Sequence, residues 1–296
     1  MAHVTRRDFF RTTVAAATLA KLGAGQTAKV AAKRSATDWV TLGNSGVKVT
    51  RLAFGTGTNN GNVQARLGQD AFTRMVRHAY DNGIRFFETA DSYATPAMLG
   101  EALKGLPRDS YRLMTKYTVS GNDNPVDRID GFRKTMQTEY FDVVLMHWLR
   151  SPNWPEETKR YQDGISEAQS RKMVLAKGAS VHGFPALSQF ADNKWLDIGM
   201  IRMNHKGVRM DTPVPDANEL GDVKQVVGHM TKVKESGKGV ISMKLVGEGR
   251  FTSPDDREAS LKFAMGLGLI DAVTIGYKNT DEIDEAIERM NRALNA

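Results

Sequence analysis

Four side chains stand where apolar runs of the sequence give out, and together they could move a proton. Glu88 ends the run in RFFETADSYA and Tyr93 follows five residues later, while Lys116 sits in RLMTKY and His147 in VVLMHW. A carboxylate, a phenol, an ammonium group and an imidazole are the groups that general acid and base chemistry uses, and a cation beside a phenol favours its ionised form. Taken alone, RFFETADSYA reads first as a strand dissolving into a turn, because acids and serine after a strand are ordinary turn and cap residues. What decides is whether the surrounding elements bring all four groups to one place.

From Trp39 onward, short apolar strands alternate with amphipathic helices. Strands are expected at Leu52 to Thr56, Ile84 to Thr89, Arg112 to Tyr117, Val143 to Trp148, Ala176 to Val181, Ile198 to Met203, Val240 to Leu245 and Ala272 to Gly276. Between them, DAFTRMVRHAYDNG sets Phe72, Met75, Val76 and Ala79 on one helical face with Gly83 after its end, and TDEIDEAIERMNRAL starts on Thr280 as its cap. Eight strand and helix units of roughly thirty residues predict an α/β fold, a single closed (β/α)8 TIM barrel over residues 37–296. A doubly wound open sheet is the rival, but FGTGTNNGN after the first strand is not the G-x-G-x-x-G turn that fold uses. VTLGNSGVKVTR, residues 40–51, predicts a short N-terminal β-hairpin ahead of the barrel, turning at Asn44, Ser45 and Gly46. Reacting groups of such a barrel lie at the C-terminal strand ends, so Glu88, Tyr93, Lys116 and His147 are expected on one rim.

The net charge of +7 invites a nucleic-acid reading, but it is not spread along the chain. Residues 1–34 hold seven Lys or Arg against the single acid Asp8, which leaves the remaining body almost neutral and the case for nucleic acid weak. There is no cysteine, so neither disulfides nor a thiolate metal site can form, and the six histidines make no H-E-x-x-H or H-x-x-E-H pattern. No metal is expected. The basic head has its own order: TRRDFFRTTVAAATLAKLGAG places paired arginines before aromatics and a small-residue apolar stretch. Residues 1–36 resemble a twin-arginine export signal, with Ala28 and Val30 to Ala32 as candidate cleavage ends; a disordered basic tail is the alternative. The stretch is too short and interrupted for a stable membrane span. The resemblance implies the twin-arginine export machinery as a partner and a periplasmic or otherwise exported protein, or a cytoplasmic one if the signal is not used.

In order and spacing, the hairpin, GIRFFETADSY, LGEAL, MTKY, LMHW and IGYKNTDEI resemble the landmarks of the aldo/keto reductase family, over nearly all of the chain from Trp39. The resemblance implies a barrel that binds NADPH (NADP), or less often NADH (NAD), and reduces a small-molecule aldehyde or ketone to an alcohol. It assigns proton donation to Tyr93, support of that phenol to Lys116 and orientation of the carbonyl to His147, and it places Thr56, Ser180, Lys244, Gly276 and Lys278 at the coenzyme. The loop from Gly247 to Gly249, and Gly276, Tyr277 and Lys278 opening the last helix, are read as phosphate positions.

Hydride arriving at a carbonyl carbon leaves an oxyanion that needs a proton from an acid within hydrogen-bond reach. Lys116 is expected to lower the Tyr93 pKa toward neutrality, and His147 to polarise the carbonyl oxygen. The sequence also departs from the family. Glu88 stands where Asp is usual, one methylene longer; it is expected to pair with Lys116, with Asp91 a second candidate. Val181, Met200, Met243 and Ile283 replace the usual Asn, Gln, Tyr and Arg of the coenzyme half. Trp148 and Trp154 are candidates for an apolar substrate wall, and His182 and His205 for pocket positions. Two rival functions follow from the same residues: a coenzyme-binding sensor or subunit with little turnover, and a lyase using Lys116 as a Schiff-base nucleophile, which an adjacent acid disfavours.

Overall fold

The computed structural model describes residues 33–296, and the expected signal and its cleavage ends lie outside them, as does most of the 1–36 segment. Arg34 to Ala296 form one compact unit. The body therefore starts a little before Thr37. The Arg34 amide donates to Asn295 Oδ1 at 3.0 Å and the Ala36 amide to Asn291 Oδ1 at 2.7 Å, which ties this entry to the last helix.

Strands β1 (Trp39–Thr41) and β2 (Lys48–Thr50) pair antiparallel, Val40 opposite Val49, as the expected hairpin. Eight parallel strands follow: β3 (Leu52–Gly55), β4 (Phe86–Glu88), β5 (Arg112–Thr118), β6 (Phe141–Leu149), β7 (Val174–Val181), β8 (Ile198–Arg202), β9 (Gly239–Met243) and β10 (Ala272–Gly276). They pair in chain order, and β10 closes on β3, making the (β/α)8 barrel. Helices cover the outside. In the helix Gln69–Asp81 the buried residues are Phe72, Met75, Val76 and Ala79, the predicted face. The last helix, Thr280–Leu294, starts one residue earlier in capping terms than expected: Asn279, not Thr280, is the cap, its side chain accepting from the Glu282 amide at 2.9 Å.

Two apolar layers result. Ala53, Phe86, Met114, Val143, Leu145, Ala176, Ile198, Met200, Ile241 and Ala272 fill the barrel interior, joined by Leu42, Val47 and Val49 of the hairpin, which therefore plugs its N-terminal end. Their strand neighbours Leu52, Phe54, Phe87, Leu113, Tyr117, Val144 and Met146 face the helices instead. This alternation aims the site. Because side chains change sides at each residue of a strand, the inward places of Phe86, Met114 and Leu145 carry Glu88, Lys116 and His147 inward two residues later. The same parity turns Gly55, Ser180, Arg202, Met243 and Thr274 inward and Thr56 outward.

Candidate active site

Lys116 and Glu88 are almost fully buried, with 1% and 3% of their surface exposed, and the ammonium contacts the Glu88 carboxylate directly. Lys116 Nζ also donates to the Thr89 carbonyl at 2.8 Å, and Thr274 of β10 donates to Glu88 Oε2 at 3.2 Å. The extra methylene of Glu88 is accommodated by Gly55, which pairs with it in the sheet. A Cβ on Gly55 would lie 3.0 Å from Glu88 Oε2 and 2.6 Å from Thr274 Oγ1. Asp91 does not share the role: its carboxylate accepts from the Thr118 amide and hydroxyl and from Arg128, which anchors the strand end instead of the lysine.

Tyr93 lies on this pair, Lys116 Nζ being 4.7 Å from its ring centroid, and the His147 ring meets it edge-on at 5.6 Å. The phenol end packs over Gly57, where any Cβ would sit 2.6 Å from the Tyr93 hydroxyl. The four groups expected to share a rim are thus in contact. The direction expected for the phenol is corrected: burial first, then the charges of Glu248 and Asp91, push the Tyr93 pKa above its usual value. Lys116 is itself pushed down by burial and then by Lys244, and it lies over the ring face. Burial, then Lys116, His182 and Lys244, hold His147 well below the usual imidazole range, so it is neutral near pH 7.

A β-bulge places His147. The β6–β7 register shifts between Met146 and Leu149, and Trp148 there takes φ 60°. Bulges re-aim side chains near functional sites. Trp148 stands 45% exposed at the mouth, its indole N–H donating to Asp216 Oδ2 at 2.9 Å. Asp216 also shares a 2.6 Å hydrogen bond with His182 Nδ1, so one loop carboxylate joins the ends of β6 and β7. Trp154 is not part of this wall: it is buried in the core and donates to the Ala186 carbonyl at 3.1 Å. His205 packs on the Phe251 ring.

Beside Tyr93 a cavity of about 80 Å³ is lined by Gly55, Thr58, Met200, Met243, Lys244 and Glu248, among others. It shares Thr58, Val246, Glu248, Ile275 and Gly276 with a second cavity of about 360 Å³ that extends past Tyr277 and Lys278 to Arg257 and Arg289. The two form one elongated groove from the barrel centre to the last helix. Of the coenzyme candidates, Lys244, Gly276 and Lys278 line it. Thr56 and Ser180 do not; the Thr56 hydroxyl accepts from Thr95 at 2.8 Å, and Thr58 lines the groove two residues later. Ser180 Oγ and Tyr277 OH are buried without a hydrogen-bond partner among the described residues. The Lys278 amide donates to Glu282 Oε2 at 2.8 Å, so an acid side chain covers the start of the last helix. Sequence reasoning missed Thr274, whose inward parity was readable, and Glu248 and Asp216, which reach the site from loops. Among the described residues no group of three or more His, Cys, Asp or Glu could hold a metal ion, and no helix is long and apolar enough to cross a membrane.

A profile of the Aldo/keto reductase family matches residues 51–293. The chain belongs to that family, a family of oxidoreductases. It is 27% identical over 145 residues to the methylglyoxal reductase DkgB of Salmonella typhi, covering 48% of this chain and 52% of that protein. It is 34% identical over 117 residues to L-galactose dehydrogenase of Arabidopsis thaliana, covering 36% of each. The chain thus spans between a third and about half the length of these curated relatives. An aldo-keto reductase of Bacillus halodurans in its holo form superposes with a TM-score of 0.68 at 14% identity, covering 87% of this chain and 95% of that one, which shows the shared fold.

Glu88→Gln leaves the Lys116 ammonium buried beside a neutral amide, and calorimetry should record a loss of about 3–5 kcal/mol of stability. Replacing both partners with apolar residues, Glu88→Leu with Lys116→Met, should recover much of that loss. Because the His147 pKa lies below its unfolded value, the unfolded chain binds the extra proton between that value and about pH 6.5. Stability should therefore fall as pH drops from 7.5 to 5, and denaturant titrations of His147→Gln should show a shallower fall.

Proposed function

We propose that the protein reduces the carbonyl of a small aldehyde or ketone to an alcohol with a nicotinamide dinucleotide, NADPH or NADH. The contact of Tyr93 with the buried Lys116–Glu88 pair, with His147 on the ring edge, carries this reading. Family membership and the relatives, a methylglyoxal reductase and an L-galactose dehydrogenase among them, support oxidoreduction of small oxygenated compounds.

The groove suits an extended dinucleotide. It is long and continuous, and the Ser180 hydroxyl, which lines neither cavity but faces inward on β7, is a buried polar atom in want of a partner. Ser180 and Met243 would hold the nicotinamide, Lys244 and Gly276 the middle of the molecule, and Lys278 its far end. When bound, the coenzyme supplies hydride to the carbonyl carbon. Neutral His147 donates a hydrogen bond to the carbonyl oxygen, and Tyr93 delivers the proton that the resulting oxyanion needs. Lys116 stabilises the phenolate left behind, and Glu88 and Thr89 hold that ammonium in place. The raised phenol pKa keeps Tyr93 protonated, and so ready to donate, over the whole neutral range.

For the segment outside the described residues, we infer a twin-arginine export signal that carries the folded, coenzyme-loaded protein to the periplasm. Supporting this are the paired Arg6 and Arg7, the aromatics after them and the mild apolar stretch.

Tyr93→Phe should lower kcat/KM by about 10²- to 10⁴-fold on a carbonyl panel while leaving dinucleotide affinity within about twofold. Saturable coenzyme binding with turnover indifferent to Tyr93 would instead favour a sensor or subunit. In fractionated cells, Arg6→Lys with Arg7→Lys should retain the protein in the cytoplasm; unchanged export by both forms would refute the signal.

A further inference from the structure

At the junction of the two cavities, where anything spanning the groove must pass, stands a negative charge. Glu248 lines both halves. Its carboxylate accepts from Lys244 Nζ at 2.8 Å and lies 3.3 Å from Arg209 Nε, so cations from two different loops, after β8 and after β9, close on one anion. All three residues hold positive φ, 66° at Lys244, 56° at Arg209 and 57° at Glu248. Non-glycine residues adopt that conformation at a cost, and such outliers gather at ligand clamps. Glu248 is flanked by Gly247 at φ 59° and Gly249 at φ 83°, and no atom approaches the missing Cβ of Gly249 within 4 Å. The acid therefore rides on a turn whose glycines let it change direction. Burial opposes its ionisation, but Lys244 and Arg209 outweigh burial and hold its carboxyl below the usual range, so it stays charged at neutral pH.

We propose that Glu248 is an internal stand-in for the coenzyme's pyrophosphate: it occupies the anion site made by Lys244 and Arg209, and the dinucleotide binds by expelling it. The proposal rests on the coenzyme reading of the groove. A pyrophosphate laid beside an unmoved Glu248 would meet like charge, whereas one that takes over its two cations exchanges one set of ion pairs for another. The three side chains are 22–40% exposed, so the exchange takes place within reach of water, where the released carboxylate is solvated.

Calorimetric titration of the full chain with inorganic pyrophosphate, and separately with the dinucleotide, NADPH or NADH, whichever binds, tests the exchange. Glu248→Gln, and Glu248→Asn as a second neutral residue that tolerates positive φ, should each tighten both ligands by about ten- to a hundredfold. Lys244→Ala should cost more affinity in the Glu248→Gln background than in the wild type, where that lysine is already engaged. Unchanged or weaker binding of both ligands to both neutral variants overturns the exchange, and NADPH bound equally well with and without the charge does so while leaving the coenzyme reading intact. Tighter pyrophosphate binding, with neither NADPH nor NADH bound by any variant, supports the displaceable anion and overturns the coenzyme reading.

Discussion

An ammonium group withdrawn from water must be answered by a carboxylate at contact distance, and in this barrel that demand organises the whole rim. Lys116 and Glu88 come from adjacent strands, and both are buried. Breaking such a pair leaves a bare charge in a poor solvent, so the surroundings are bound to respect it. Gly55 stays without a side chain to admit the longer acid, Thr274 reaches across from β10 to its second oxygen, and the Thr89 carbonyl takes another proton of the lysine. Tyr93 then finds its place on the ammonium, and Gly57 is bare beneath the phenol.

Much of this was legible because a strand is a two-stroke device. Once Phe86, Met114 and Leu145 are read as inward, Glu88, Lys116 and His147 must follow, and the same count sets Thr56 on the wrong side of its strand. What the count cannot reach belongs to loops and to burial. Glu248 and Asp216 enter from turns whose paths depend on left-handed residues, and nothing in their neighbours announces where the side chain ends up. Trp154 stands near His147 in the chain, yet its ring packs edge-on against Phe190 in the core. The acidity of Tyr93 was misjudged for the same reason. It depends on how completely the ring is covered and on an acid 155 residues further along, neither of which is visible beside a Tyr and a Lys in a string of letters.

Strain is distributed accordingly. Asn59, Asn60, Trp148, Arg209, Asp216, Lys244 and Glu248 all take positive φ; Trp148 is the penultimate residue of β6, and the others follow C-terminal strand ends. The opposite end of the barrel is built mostly of relaxed turns, with Gln137 and Lys172 as its non-glycine exceptions. Stability is thus concentrated in the two apolar layers, and the functional face is allowed conformations that would be selected against elsewhere.

The hairpin of β1 and β2 gives this architecture a direction. With Leu42, Val47 and Val49 packed against the filled interior at the far end, only the rim that carries Glu88, Lys116 and His147 is left open. The barrel is thereby left with one working face, a polarity set by the twelve residues from Trp39 to Thr50 at the start of the fold and not by the chemistry at its mouth.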